Sequence, residues 1–256
     1  MRALRILLIL VVVLGGLFTA VDRLGVHFAE GKVGDQLRSS ENLSEQPDVS
    51  IGGFPFLTQV AAGKLDDVDI KIANYAASTD GVVGGGGSTG KNPGTVNIQD
   101  LDARMQGVSF SLSDPSSATA DSATGSARIS YDELLKAAQV EPVEVAPGAK
   151  AKVIRLSDGG GGKLKVTVEA TLLGHKLPDP ITVTSTMRVD GDVVKVHADT
   201  LPSFGSLSAP ESRARQITDF EQAITGLPAG IKIDTVEAAP DGVHITVKGS
   251  HVRLAG

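Results

Sequence analysis

Five segments of this chain alternate apolar and polar residues with a period of two, and that alternation narrows the folds open to it. Val68, Ile70 and Ile72 alternate with Asp67, Asp69 and Lys71. Leu164, Val166, Val168, Ala170 and Leu172 alternate with Lys163, Lys165, Thr167, Glu169 and Thr171. Ile181, Val183, Met187 and Val189 share one parity against Thr182, Thr184, Thr186 and Arg188. Val194, Val196 and Ala198 oppose Lys195, His197 and Asp199, and Val243, Ile245 and Val247 oppose His244, Thr246 and Lys248. Successive side chains of a strand point to opposite faces, so each segment has one dry and one wet face. That pattern predicts an antiparallel sheet covered on one face. Near the C-terminus Val252 and Leu254 fall out of phase with Val247, which predicts a bulge at Gly249.

Helical spacing interrupts the strands in three places. Over Asp22–Ser39, Val26, Ala29, Val33 and Leu37 recur on one face, with Asp22, Arg23, Glu30, Lys32, Asp35, Gln36 and Arg38 as its polar face. Gly25, Gly31 and Gly34 weaken that helix by about 1 kcal/mol each relative to Ala, so it needs a surface to lie on. Ser130-Tyr131-Asp132-Glu133 is a capping-box pattern, followed by Leu134, Leu135 and Ala138 on the face of Tyr131. Ser208-Ala209-Pro210-Glu211 repeats it, and Ile217, Phe220, Ile224 and Leu227 then run at helical spacing to a stop at Gly226 and Pro228. The fold class is therefore α+β. Gly84–Gly87 and Gly159–Gly162 read as long hairpin tips within Gly-rich loops near 80–94 and 158–163. The Ser/Thr-rich stretch from Ser111 to Ser126 reads as a mobile edge or an ill-paired strand.

Residues 1–21 form a separate unit. Arg2 and Arg5 precede a run from Ile6 to Ala20 that has no charge. The apolar span, residues 4–21, approaches the ~20 residues that a bilayer helix needs. Positive charge before it predicts that the N-terminus stays inside and residues 22–256 lie outside, as a single extracytoplasmic domain. Phe18-Thr19-Ala20 lacks a small residue at the first position of a signal-peptidase site. An uncleaved single-pass anchor is favoured over a cleaved signal that would leave the body secreted. The net charge is −6, and the only basic residues of the first 21 are Arg2 and Arg5, so the body is acidic. That excludes nucleic-acid binding by bulk electrostatics.

Catalytic and cofactor motifs fail on inspection. The run Gly84–Asn92 contains a Gly-x-Gly-x-x-Gly spacing and nearly a phosphate loop, but Asn92 stands where Ser or Thr would ligate magnesium. Asn92-Pro93-Gly94 follows where both motifs need a helix. With no Cys there is neither a thiol nucleophile nor a Cys-ligated zinc, and His27, His175, His197, His244 and His251 form no metal-binding spacing. Asp66, Asp67 and Asp69 lack the Gly and terminal Glu of a calcium loop. Ser206 belongs to a turn before the last helix, not to a nucleophile elbow. No cofactor, metal or catalytic residue is expected, and the chain is read as a non-enzyme.

What remains is apolar. Phe54, Phe56 and Leu57 sit in a dense knot, Phe54-Pro55-Phe56-Leu57, where Pro55 suits the first turn of a short helix and Gly63 its end. Phe54, Phe56, Leu57, Phe110, Phe204, Leu207, Phe220 and Ile224 are candidates to line a groove for acyl chains, against ordinary core packing. Lys64, Lys71 and Arg104 are candidates to meet a headgroup phosphate.

The knot also carries a resemblance. Gly53-Phe54-Pro55-Phe56-Leu57-Thr58-Gln59 with Gly63 after it, and Leu227-Pro228 before the hairpin from Asp241 to Gly249, resemble the LmeA-like family of actinobacterial cell-envelope proteins. The resemblance implies a periplasm-facing phospholipid-binding protein acting in envelope maintenance, with phosphatidylinositol-type lipids as the ligand class. It further implies a TULIP-like shape, a strongly curved antiparallel sheet wrapped around a long N-terminal helix, with two or three short helices. Lipid transfer is one role open to such a protein. A non-catalytic adaptor holding an envelope enzyme or cell-wall polymer is the alternative, and an enzyme of lipid or glycan processing a third. Protein partners are not legible.

Overall fold

The uncharged run and the amphipathic segment after it form one unbroken helix, α1 (Arg2–Ser40). In the computed structural model, residues 2–78, 95–111, 113–114, 117–137, 142–200, 211–224 and 227–254 are described. After α1 come β1 (Asp48–Ile51), α2 (Phe56–Ala62), β2 (Lys64–Ser78), β3 (Thr95–Ser109), β4 (Thr119–Ile129) and α3 (Tyr131–Ala137). Then follow β5 (Val143–Ala146), β6 (Ala149–Asp158), β7 (Leu164–Leu172), β8 (His175–Lys176), β9 (Ile181–Asp190) and β10 (Val193–Ala198). The chain closes with α4 (Glu211–Thr218), β11 (Phe220–Ala223), β12 (Ile231–Ala239) and β13 (Gly242–Arg253).

The strands form an antiparallel sheet in the order β1-β2-β3-β4-β13-β12 and a second in the order β11-β10-β9-β7-β6-β5, with β8 on β7. Together with the long helix and the short ones they make a strongly curled α+β half-barrel, as expected. The alternation predicts the faces correctly. Val183 is buried, as are Leu164, Val166, Val168 and Ala170, whose core continues through Val194, Ile233, Val236, Ala238 and Val243. Tyr131, Leu134 and Leu135 of α3 pack against it. The hairpin tip at Gly159–Gly162 closes with the Gly159 N–H on the Lys163 carbonyl, at 2.8 Å. It also joins the two sheets, because the Ala238 N–H of β12 donates to the Gly162 carbonyl at 3.1 Å.

The first sheet owes part of its curl to a crease. Leu65 and Val68 of β2, Val108 and Met105 of β3, and Ala120 and Ala123 of β4 all enter one core cluster with Val252. Residues three apart cannot share a face of a regular strand, so each strand turns over between them. Asp66, Gly107, Asp121 and His251 fall on one line between the paired residues of β2, β3, β4 and β13. Gly107 (φ 62) and His251 (φ 50) adopt left-handed backbone on that line. The parity slip of the last strand thus lies at His251 and not at Gly249, as one strand's share of a four-strand feature. The register shift nearby is in β12, between Ile233 and Thr235.

Two further expectations are corrected. The Ser/Thr-rich stretch supplies β4, an interior strand between β3 and β13 and not an edge. Buried Ala120 is flanked across the strands by Val108 and Val252, and Ala123 by Met105 and Gly249, and both alanines lie within one apolar cluster. The last helix ends at Thr218, and Phe220, placed on its apolar face, is instead on β11, opposite Val196 of β10. Pairing with the open edge of β10 satisfies the backbone of Phe220–Ala223, which decides against helical spacing. Asp219 marks the exit, its carboxylate accepting the Ala198 N–H at 3.1 Å. Ala138, Gly84–Gly87, Ser206 and the Ser208–Pro210 cap lie outside the described residues.

Candidate functional site

The Phe54-Pro55-Phe56-Leu57 knot folds as expected and divides its side chains between two roles. Pro55 precedes α2, and Gly63 (φ 67) ends it with its N–H on the Val60 carbonyl. Phe56 is 6% exposed, clustered with Val26 of α1 and with Val49 and Ile51 of β1. Phe54 and Leu57 are 53% and 38% exposed. Phe56 thus plugs the core between α1 and β1, while Phe54 and Leu57 stand exposed beside it.

Helix α1 holds this turn with polar groups read from sequence as its solvent face. Asp22 is fully buried, and its Oδ1 accepts the Leu57 N–H at 2.9 Å, capping α2. Glu30 Oε1 accepts the Ile51 N–H at 2.9 Å. Asp22 and Glu30 thus face the body, because each carboxylate satisfies a backbone donor of the strand–turn unit beside it. Of the helix glycines, Gly34 allows a close approach, while Gly25 leaves room for ordinary contact. A Cβ on Gly25 would stand 3.5 Å from Phe56 and Leu57, and one on Gly34 3.1 Å from the Gln46 amide.

The opposite side of α1 is apolar and open. Leu17, Val21, Leu24 and Phe28 lie on one stripe and are 61%, 48%, 70% and 69% exposed. Phe18 meets Phe54 edge-on, with ring centroids 6.5 Å apart. The Arg23 guanidinium lies 5.4 Å from the Phe54 ring centroid, and the Lys32 ammonium 5.7 Å from that of Phe28. The sequence reading missed this second stripe because it sought the face that packs. Its signal was present in the spacing 17, 21, 24 and 28.

Two shallow grooves lie elsewhere on the body. One, of about 540 Å³, crosses the wet face of the first sheet and is lined by Lys71, Arg104, Asp102, Ser126, Thr246 and Lys248 among others. Register brings Lys71, Asp102, Ser126 and Thr246 into one row and Asp69, Arg104, Thr124 and Lys248 into the next. Arg104 donates to Asp69 at 2.5 Å, a contact that raises its pKa further, and Lys248 pairs with Asp234. The Lys71 side chain makes no ion pair or hydrogen bond among the described residues. The other groove, of about 570 Å³, runs where β12 crosses β9, between Lys163, Arg188, Met187, Val189 and Glu237, and shares Asp234 with the first.

The structure does not bring all of the candidates together. Phe54, Phe56 and Leu57 gather at the start of α2, and Phe110 reaches its end, where the Phe110 N–H donates to the Gly63 carbonyl at 2.9 Å. Ile224 packs into the core of the second sheet and Phe220 lies at that sheet's edge. Phe204 and Leu207 lie outside the described residues. Lys71 and Arg104 share the wet-face groove, while Lys64 stands apart and pairs with Asp121 at 3.2 Å.

A polar network on the second sheet was not foreseen. His197 Nδ1 lies 2.8 Å from Asp219, which also accepts from Arg215 at 3.3 Å. Burial alone would raise the Asp219 carboxyl. The Ala198 N–H, the Thr218 hydroxyl, His197 and Arg215 outweigh it and hold the group below the ordinary carboxylate range. The nearby Thr186 hydroxyl donates to Asp199 at 2.6 Å, and the Asp219 network ties α4 to β10. Among the described residues no cluster of His, Asp and Glu is arranged to hold a metal ion.

Comparison with protein families matches residues 20–248 to a family model described as LmeA-like phospholipid-binding. Comparison with curated proteins and with solved structures returns no match.

Proposed function

Because the chain belongs to the LmeA-like phospholipid-binding family, we propose that it is a membrane-anchored, extracytoplasmic protein that binds phospholipid non-covalently and acts in cell-envelope maintenance. The family match over nearly the whole folded body carries the lipid-binding reading. Membrane anchoring is supported by α1, where Ile6, Leu8 to Leu14, and Leu17 are each more than half exposed, an arrangement costly in water and natural in lipid. Arg2 and Arg5 before that run favour a cytoplasmic N-terminus.

The mechanism is non-covalent burial of acyl chains against apolar side chains. An acyl chain that leaves water for apolar side chains gains about 0.8 kcal/mol per buried CH₂, before ordering costs. Phe54, Leu57 and Phe110 around α2 are our first choice for that contact. Lys71 is our first choice for the phosphate, because Arg104 and Lys64 are already neutralised by Asp69 and Asp121. A phosphatidylinositol-type ligand is the preferred class. The test is to purify the chain from a bacterial membrane, extract bound lipid into organic solvent and identify it by mass spectrometry, alongside transfer of fluorescent phospholipid between vesicles. Stoichiometric phospholipid or catalysed transfer is expected. Folded protein that is repeatedly lipid-free and inactive in transfer overturns the proposal.

A further inference from the structure

The uncharged part of α1 is short for its task. Ile6 to Val21 spans about 24 Å at 1.5 Å per residue, against a hydrocarbon core of about 30 Å. At the end where the folded body begins, the exposed apolar surface does not stop. It runs on through Leu24 and Phe28, about 10 Å beyond Val21 along the same helix, and spreads sideways to Phe54 and Leu57. The Phe18–Phe54 contact fixes the α2 turn level with the last turns of the uncharged segment.

The charges in this zone are arranged for the same surroundings. Asp22 is the only acid before Glu30, and it is fully buried with the Leu57 N–H on its Oδ1, so no carboxylate faces outward between the N-terminus and Phe28. Arg23 and Lys32 hold their charged ends over the exposed rings of Phe54 and Phe28, which sets two cations beside the apolar surface, within reach of lipid phosphates.

We infer that Phe54 and Leu57 of the α2 turn, with Leu24 and Phe28 of α1, are immersed in the outer interfacial layer of a phospholipid bilayer. The body is then seated on the lipid surface and not held above it on a stalk. Aromatic and aliphatic side chains beside cations suit this layer, where one end of a side chain is dry and the other wet. The continuity of the apolar surface with the spanning segment argues for lipid over a second copy of the chain, which would bring Arg23 and Lys32 against their own counterparts. This inference rests on the anchor reading above and adds to it a second contact with the bilayer.

The chain has no Cys, so single-Cys variants label at one position. Phe54→Cys and Leu57→Cys probe the turn, Leu10→Cys the span, and Leu173→Cys, at a site 76% exposed on the second sheet, serves as the aqueous control. Each full-length variant is labelled with an environment-sensitive nitrobenzoxadiazole dye and placed in phosphatidylcholine–phosphatidylglycerol vesicles. Some vesicles carry a nitroxide near the headgroup and others carry it deep in the acyl chain. Labels at 54 and 57 are expected to lose most of their emission to the shallow nitroxide, the label at 10 to the deep one, and the label at 173 to neither. Turn labels as unquenched as the one at 173, with the label at 10 quenched, overturn the inference and leave the anchor standing. An unquenched label at 10 removes the anchor and this inference with it. Disulfide-linked dimers of a Phe28→Cys variant in the same vesicles, with turn labels unquenched, would show that a second copy covers the stripe and would also overturn it. Circular dichroism matching the parent chain confirms that each variant is folded.

Discussion

Replacing Phe56 by Ala separates the two roles assigned to the knot. Phe56 is 6% exposed and joins α1, β1 and α2 through Val26, Val49 and Ile51. Truncating a buried Phe to Ala costs about 3–5 kcal/mol, through lost transfer energy and the cavity left behind. The lower half of that range applies here, because α2 is short and lies at the margin of the first sheet, free to settle into the space. For a domain of this size each kcal/mol lowers the melting temperature by about 2–4 °C, so a loss of about 3 kcal/mol predicts a fall of roughly 6–12 °C. The partner experiment is Phe54→Ala. Phe54 is 53% exposed and contributes an edge contact with Phe18 and a cation contact with Arg23, together about 1–2 kcal/mol. Thermal unfolding of full-length protein in detergent, followed by circular dichroism in the β-sheet band, measures both. A Phe56→Ala variant that melts within the error of the parent refutes the plug, and so does a Phe54→Ala variant that melts lower than Phe56→Ala.

Three further outcomes follow from the geometry. Gly31→Ala meets nothing within 4 Å and is expected to stabilise α1 by about 1 kcal/mol, whereas Gly34→Ala presses on Gln46 and the Pro47 carbonyl and gains less or nothing; equal gains in thermal melts contradict that packing. Gly107→Ala places a Cβ 2.1 Å from the Asp121 carboxylate in left-handed backbone and is expected to cost on the order of 1–2 kcal/mol, which an unchanged melting temperature would contradict. Asp219 has a depressed pKa in the folded chain, so its contribution is present above about pH 4 and is lost as pH falls through the folded value. Asp219→Asn is therefore expected to be about 1–2 kcal/mol less stable at neutral pH, with the gap closing in acid; a gap that is constant with pH contradicts the assignment.

The alternation of Leu164 to Leu172 or Val243 to Val247 carried the faces of the sheets, because burial on one side leaves a direct period in the letters. The short helix between Pro55 and Gly63 was equally legible, since its boundary residues have local backbone requirements. Strand partnership was not. Nothing local in the Ser/Thr-rich stretch tells that Thr119–Ile129 lies between β3 and β13, because Ala120 is buried between Val108 and Val252 on strands outside the stretch. Phe220 fits a helical face by spacing and is a strand residue only because β10 offers an edge. Asp22 and Glu30 mislead for a similar reason: an acid inside a helix reads as solvent-facing until the backbone donor it caps is known. Of the candidate site, the α2 cluster was legible from composition. The stripe from Leu17 to Phe28 was hidden in plain spacing, because an apolar face that stays open leaves the same period as one that packs.

The central claim is that the folded body holds phospholipid without covalent chemistry. Native mass spectrometry of the full-length chain released from detergent tests it most directly, with Phe56→Ala as a variant of loosened packing and Lys71→Ala as a variant lacking the wet-face cation that is unpaired among the described residues. The account predicts a dominant species heavier than the bare chain by the mass of one intact phospholipid, with less of that adduct for Lys71→Ala. A spectrum containing only bare folded chain, under conditions in which a known lipid-binding control keeps its lipid, contradicts it.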